Sequence, residues 1–139
     1  MATRSHIGIL NQNGTVDYIY CHFDGYLEHN GKILNEHYNT EGRVRALIEL
    51  GDLSSLAPEI GEKHDFDSRT PETRNWCLVY GRDRGEDGTE AQTIPYRDYT
   101  KEHFEEYTYL FTPGKGWEVR SYGAPYWTEL NKALETMVL

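Results

Sequence analysis

Within the seven residues from Tyr20 to Tyr26 the chain places a phenol, a thiol, an imidazole, a carboxylate and a second phenol: Tyr20, Cys21, His22, Asp24 and Tyr26. Groups of these types can move protons or read the polar edge of a ligand. A cysteine beside a histidine suggests a nucleophile, because an imidazole can stabilise a thiolate. On a strand, however, neighbouring side chains point to opposite faces. Cys21 then shares a face with Ile19 and Phe23 and reads as a small core residue, whereas His22 shares one with Tyr18 and Tyr20. Asp24 follows on the His22 parity, so the two could pair or contact a ligand; alternatively Asp24 only closes a strand-end turn. A second cluster, YGRDRGEDG, spans Tyr80 to Gly88. Gly81 and Gly85 free the backbone, and Arg82 and Arg84 offer forked donors suited to phosphate. Asp83, Glu86 and Asp87 outnumber those arginines and could neutralise them in place. Arg4 is a third cation if the sheet brings it near. Neither cluster is a GxGxxG or a P-loop.

Metal-ligand types occur at His6, His22, Asp24, His29, His37, His64, Asp65 and Asp67, without HExxH or CxxC spacing. The expectation is therefore no metal and no cofactor. His64-Asp65-Phe66-Asp67, if extended, would put two carboxylates on one side, where solvation is the simpler account.

Several elements must position these groups. Ile7 and Ile9 alternate with His6, Gly8 and Leu10; Asn11 to Gly14 supplies turn chemistry, and Thr15 onward alternates again, which predicts a hairpin. Residues Leu27 to Tyr38 read as a helix. Asn39 or Thr40 caps a second one with Val44, Leu47, Ile48 and Leu50 as its apolar face and Gly51 at its stop. Asp52 to Leu56 reads as a short turn, 58 to 75 as a polar loop, Arg74 to Tyr80 as a strand, and 81 to 95 as loop again. Asp98 to Glu106 is expected to form a short helix. Tyr107 to Thr112 and Trp117 to Tyr122 predict a second hairpin. Pro125 suits the first turn of a last helix that buries Trp127, Leu130, Leu134 and Met137. The sum is one α+β domain over 1–139: a mostly antiparallel sheet of about five strands with helices on one face.

At 139 residues, with 37% hydrophobic and 27% charged content, the chain has the composition of a single globular domain. The formal charge of −9 disfavours direct nucleic-acid binding, which needs excess lysine and arginine. It fits a solubilising surface, or a surface that occupies a basic partner. Eleven tyrosines suit half-buried sheet faces and interfaces. Two cysteines form no disulfide framework, and no stretch approaches the ~18 apolar residues of a membrane span. A cytosolic protein with no membrane association is expected, and a homo-oligomer is possible.

The ordered set Thr3-Arg4-Ser5, Tyr20-Cys21-His22, Asp24-Gly25-Tyr26, Gly31, His37-Tyr38, Gly51 to Leu56, Gly61 to His64, Phe66-Asp67 and Tyr80 to Glu86 resembles a family of small proteins of tailed bacteriophages and prophages. The resemblance covers roughly residues 3 to 122. Similar proteins tend to carry Trp and Pro where this chain has Phe23 and Leu27. It implies an accessory protein in the host bacterial cytoplasm and no particular reaction. Three functions follow as expectations. The first is binding and sequestering a small phosphorylated, nucleotide-like molecule, such as a host-defence signal. Arg4, Arg82 and Arg84 would hold its phosphate, Tyr20, Tyr26 or Tyr80 would stack on its base, and His22 and Asp24 would read its edge. The second is an acidic inhibitor of a basic host defence protein such as a nuclease. The third is a small phosphodiesterase or hydrolase using His22, Asp24 and His37 or His64.

Overall fold

The computed structural model describes residues 2–101 and 105–137. Strands β1 (Ser5–Leu10) and β2 (Thr15–Cys21) form the expected antiparallel hairpin, with Ile7 opposite Ile19 and His6 opposite Tyr20. Asn13 makes the turn: its Oδ1 accepts from the Thr15 N–H at 3.2 Å and the Thr15 hydroxyl at 2.6 Å, while Gly14 takes φ +85°. Period-two alternation then divides the side chains. Ile7, Ile9, Ile19 and Cys21 face the main core; Val16, Tyr18 and Tyr20 face the other side.

The main core is closed by three helices. After β2 a π-type turn at Leu27–Gly31 runs into α1 (Lys32–His37), and α2 (Glu41–Glu49) follows. The Thr40 hydroxyl caps α2 by accepting from Arg43 N–H at 3.3 Å. Gly51 stops it at φ +81°, where a Cβ would stand 2.4 Å from the Thr89 carbonyl oxygen. Leu34 and Tyr38 from the α1 region, Val44, Leu47 and Ile48 from α2, and Leu130 pack against the Ile7/Ile19 face.

Residues expected to form a turn are a strand, β3 (Leu53–Ser55). Leu53 lies beside Cys21 in parallel, and the N–H groups of His22 and Phe23 donate to the Leu53 and Ser54 carbonyls, both at 3.0 Å. The strand expected over Arg74 to Tyr80 is shorter: a 3₁₀ turn occupies Thr73–Asn75, β4 is only Leu78–Val79, and Tyr80 already begins α3 (Tyr80–Arg84). The expected loop from 81 to 95 thus holds part of α3 and also β5 (Gln92–Pro95), which pairs with the first half of β2.

Helix α4 (Tyr96–Lys101) is shorter than expected; residues 102–104 of the anticipated helix lie outside the described residues, and Glu105 and Glu106 are not helical. Strands β6 (Tyr107–Thr112) and β7 (Gly116–Ser121) form the second hairpin, and β8 (Thr128–Glu129) leads into α5 (Leu130–Met137). Helix α5 thus starts five residues after Pro125, and Trp127 is not on it. Instead Trp127 stacks on Tyr99 with centroids 6.3 Å apart, on the second face of the sheet. Leu130 and Leu134 do join the main core, and the Met137 side chain lies outside the described residues.

The fold is α+β, as expected, with eight strands in one mixed sheet among the described residues. The order is β4-β3-β2-β1-β6-β7-β8, with β5 also on β2; the β1–β6 and β2–β3 pairings are parallel. Helices do not keep to one face. Tyr99 of α4 lies over Gly8 on the second face, where a Cβ would come within 2.8 Å of its hydroxyl oxygen. That hydroxyl donates to the Tyr109 carbonyl at 2.7 Å. Only glycine at position 8 admits this contact.

Candidate functional site

Register across the sheet brings part of the two clusters together. Thr108 pairs with His6, His6 with Tyr20, and Leu53 with both Cys21 and Val79. One residue before Leu53, Asp52 accepts the Tyr20 N–H on Oδ1 at 3.0 Å, and its own carbonyl accepts the Tyr80 N–H at 3.3 Å. Thr108, His6 and Tyr20 on three neighbouring strands, Asp52 just before β3 and Tyr80 just after β4 therefore succeed one another across the sheet. His22 lies beside this row, with its Nδ1 2.7 Å from the Tyr20 hydroxyl. His6 packs edge-on against Tyr20, centroids 5.9 Å apart, and is 9% exposed.

Burial first, and the Glu105 carboxylate second, push the Tyr20 phenol up to about 12, against the opposing pull of Arg4. Tyr20 thus keeps its proton at neutral pH. Its hydroxyl and the His22 Nδ1 share one hydrogen bond, whose direction follows the imidazole tautomer. Burial also raises the Asp52 carboxyl, and it holds His6 down to about 4, so the His6 ring is uncharged at neutral pH.

Arg4 reaches this face, but its Nε lies 3.3 Å from Glu105 and 4.0 Å from Glu106. At the other side Phe66 stacks on Tyr80 at 5.7 Å, and the Arg84 guanidinium sits 4.5 Å and 4.9 Å from the two ring centroids. Arg84 Nε donates to Glu86 Oε2 at 2.9 Å. Both cations are thus about half exposed and already matched to carboxylates.

Arg82 does not belong to this face. Its Nε donates to Asp83 at 2.9 Å, Nη1 to the Ile60 carbonyl at 2.8 Å, and Nη2 to the Cys77 carbonyl at 2.9 Å. Asp83 is fully buried at its side chain and also accepts the N–H groups of Val79 and His64 at 2.8 Å and 3.2 Å. Expected as a phosphate clamp, Arg82 instead ties the segment from 58 to 77 onto β4. Every nitrogen is turned to a protein acceptor and four of the five N–H donors are taken, so Arg82 cannot offer a ligand the forked pair of donors a phosphate clamp needs.

Asp24 and Tyr26 also leave the group. Asp24 adopts φ +58°, which breaks the strand alternation, and its carboxylate accepts from the Tyr26 hydroxyl at 3.2 Å. The expected His22–Asp24 contact gives way to His22–Tyr20 and Asp24–Tyr26. Gly25 makes that turn possible, since a Cβ there would stand 2.9 Å from the Thr3 carbonyl oxygen. The hydrolase set does not assemble either. His37 is on α1, across the sheet from Tyr20, and its Nε2 lies 3.9 Å from Glu36; His64 is held against Asp83 and Trp76. The Asp65 carboxylate is turned back on the chain, where it accepts the Asp67 N–H at 3.0 Å. Among the described residues no three His, Cys, Asp or Glu side chains cluster as metal ligands would.

Cys21 is 0% exposed, and burial pushes its thiol up to about 12. The Asn30 amide donates to its sulfur at 3.4 Å. A thiol this far from the thiolate form is no nucleophile at neutral pH. Iodoacetamide at pH 8 should label Cys21 only at the rate of global unfolding; mass spectrometry showing prompt labelling of the native protein would contradict the burial.

Of the residues on this face, His6 enters the sequence reading only as a metal-ligand type and a strand position, Asp52 and Phe66 only inside longer motifs, and Glu105 only inside an expected helix. His6 was within reach, since the Asn13-Gly14 turn fixes it opposite Tyr20. The others join only through β3, α3 and the chain ahead of β6. Comparison with protein families, with curated proteins and with solved structures finds no match to this chain.

Proposed function

We propose that this chain is a non-catalytic phage accessory protein that works in the host bacterial cytoplasm by binding a basic host protein, such as a defence nuclease. The contact surface is the second face of the sheet around Tyr20, His22, Phe66 and Tyr80, flanked by Glu86, Glu105 and Glu106. What carries the reading is the state of the arginines: Arg82 is consumed internally, while Arg4 and Arg84 each face a carboxylate. A phosphate dianion would have to displace those carboxylates and would meet Asp52 as well. A lysine or arginine of a partner can exchange with Arg4 or Arg84 on the same carboxylates and rings without placing like charges together. The chain's own Arg84 already makes, over Phe66 and Tyr80, the contact a partner's arginine would make. The charge of −9 favours rapid encounter with a basic protein.

The test is a pull-down from host lysate, run beside calorimetry against cyclic and linear nucleotides. The expected result is one stoichiometric basic protein, released at high salt and lost with a Tyr20→Ala/His22→Ala double variant, and no heat from any nucleotide. Nucleotide heat without a captured protein would replace this reading with the sequestering one. Turnover of a bound nucleotide, abolished by His22→Ala, would replace it with the hydrolase.

A further inference from the structure

On the opposite side of the sheet a cavity of about 330 Å³ opens between α1, α5 and the turn joining β6 to β7. Three carboxamides from three places in the chain converge on it: Asn35 from α1, Asn39 from the link to α2, and Asn131 from the first turn of α5. Among the described residues none of these three side chains makes a hydrogen bond within the protein, although asparagines elsewhere in the chain do, such as Asn30 to Ser5 and Asn75 to Glu59. Phe111 and Trp117, packed edge-to-face at 5.2 Å and 4% and 7% exposed, close the cavity from the core side. The indole N–H of Trp117 is committed to the Tyr38 carbonyl at 2.7 Å and is not offered to the cavity.

Two charged residues line the cavity, and each is neutralised from outside it. Lys115 lies 3.5 Å from Glu118, and Glu129 lies 3.3 Å from Lys132. The walls therefore present donors, acceptors and rings with no unmatched charge. A carboxamide offers a donor and an acceptor together, which is the pattern a hydroxyl group answers with its own donor and acceptor. The volume lies at the small end of ligand cavities.

We infer that this cavity is a binding site for an uncharged polyhydroxylated molecule of monosaccharide size, held by Asn35, Asn39 and Asn131 with its C–H surface against Phe111 and Trp117. The site stands apart from the proposed protein-binding face and does not depend on it.

The side-chain amide resonances of the three asparagines report on it directly in ¹⁵N-correlated NMR spectra. D-glucose and N-acetyl-D-glucosamine are the neutral probes; glucose 6-phosphate and putrescine are the charged comparisons. Saturable shifts of those amides with a neutral sugar, weakened about tenfold by Asn35→Ala or Asn131→Ala, are expected, since each variant removes one or two neutral hydrogen bonds. Thermal unfolding of both variants should match the wild type, because neither amide bonds to the protein. No saturable shift with either sugar, an unchanged response in both variants, or a stronger response to a charged probe would overturn the inference.

Discussion

Asp83→Ala is expected to remove about 3–5 kcal/mol of folding stability, the usual cost of stranding one member of a buried ion pair. The side chain is 0% exposed and receives Arg82 at 2.9 Å together with the Val79 and His64 N–H groups. Removing it leaves the Arg82 guanidinium, itself 18% exposed, with two carbonyl partners and no counter-charge. It also leaves the buried Val79 N–H without an acceptor. Burial alone would raise the Asp83 carboxyl, but the hydrogen bonds from Arg82 and the two backbone N–H groups outweigh it and hold the group below the ordinary carboxylate range. The sign follows from linkage. The stabilisation is fully present above the ordinary aspartate value and disappears as pH falls through the lower, folded one. Asp83→Asn should be milder at neutral pH, since a carboxamide oxygen can still accept from Val79. Urea unfolding followed by tryptophan fluorescence at pH 7 measures both variants. An Asp83→Ala loss below about 1 kcal/mol, the scale of a surface pair, would show that the knot is not what secures residues 58 to 77.

This knot marks where the sequence stops being legible. The hairpins, the Thr40 cap and the Gly51 stop rest on contacts within a few residues, and local pattern found them. The assignment of Cys21 to the core likewise follows from alternation alone. By contrast, β3 exists because Leu53 meets Cys21, a pairing thirty-two residues apart that no local propensity in Leu53-Ser54-Ser55 announces. The same holds for Arg82, whose partners include a carbonyl twenty-two residues earlier. Glycines on both sides of two arginines look like a phosphate loop in sequence. In three dimensions Gly85 at φ +74° ends a single helical turn, and that turn aims Arg82 inward. For the candidate face, parity placed Tyr20 and His22 side by side correctly. It failed at Asp24, because a left-handed residue breaks the alternation on which parity depends.

Between pH 6.5 and pH 4 the protein should lose about 3 kcal/mol through His6 alone. Burial lowers this imidazole to about 4 in the folded chain, against about 6.5 unfolded. Over that interval the unfolded state binds a proton that the folded state refuses, so stability falls as pH falls, by 1.36 kcal/mol for each unit between the two values. Asp52, whose carboxyl burial raises, works in the opposite direction, since its folded form takes up a proton first. His6→Phe isolates the histidine contribution. Phenylalanine preserves a ring edge-on to Tyr18 at 5.2 Å and to Tyr20 at 5.9 Å, and it cannot be protonated. Denaturant unfolding of both chains at pH 7 and at pH 4 gives the comparison: the wild type should lose about 3 kcal/mol more than the variant. Equal losses would mean that His6 is charged, or hydrated, within the fold. The second face would then not be the neutral ring floor on which Tyr20 keeps its proton and orients His22, and an aromatic surface held ready for a cationic partner would lose its physical basis.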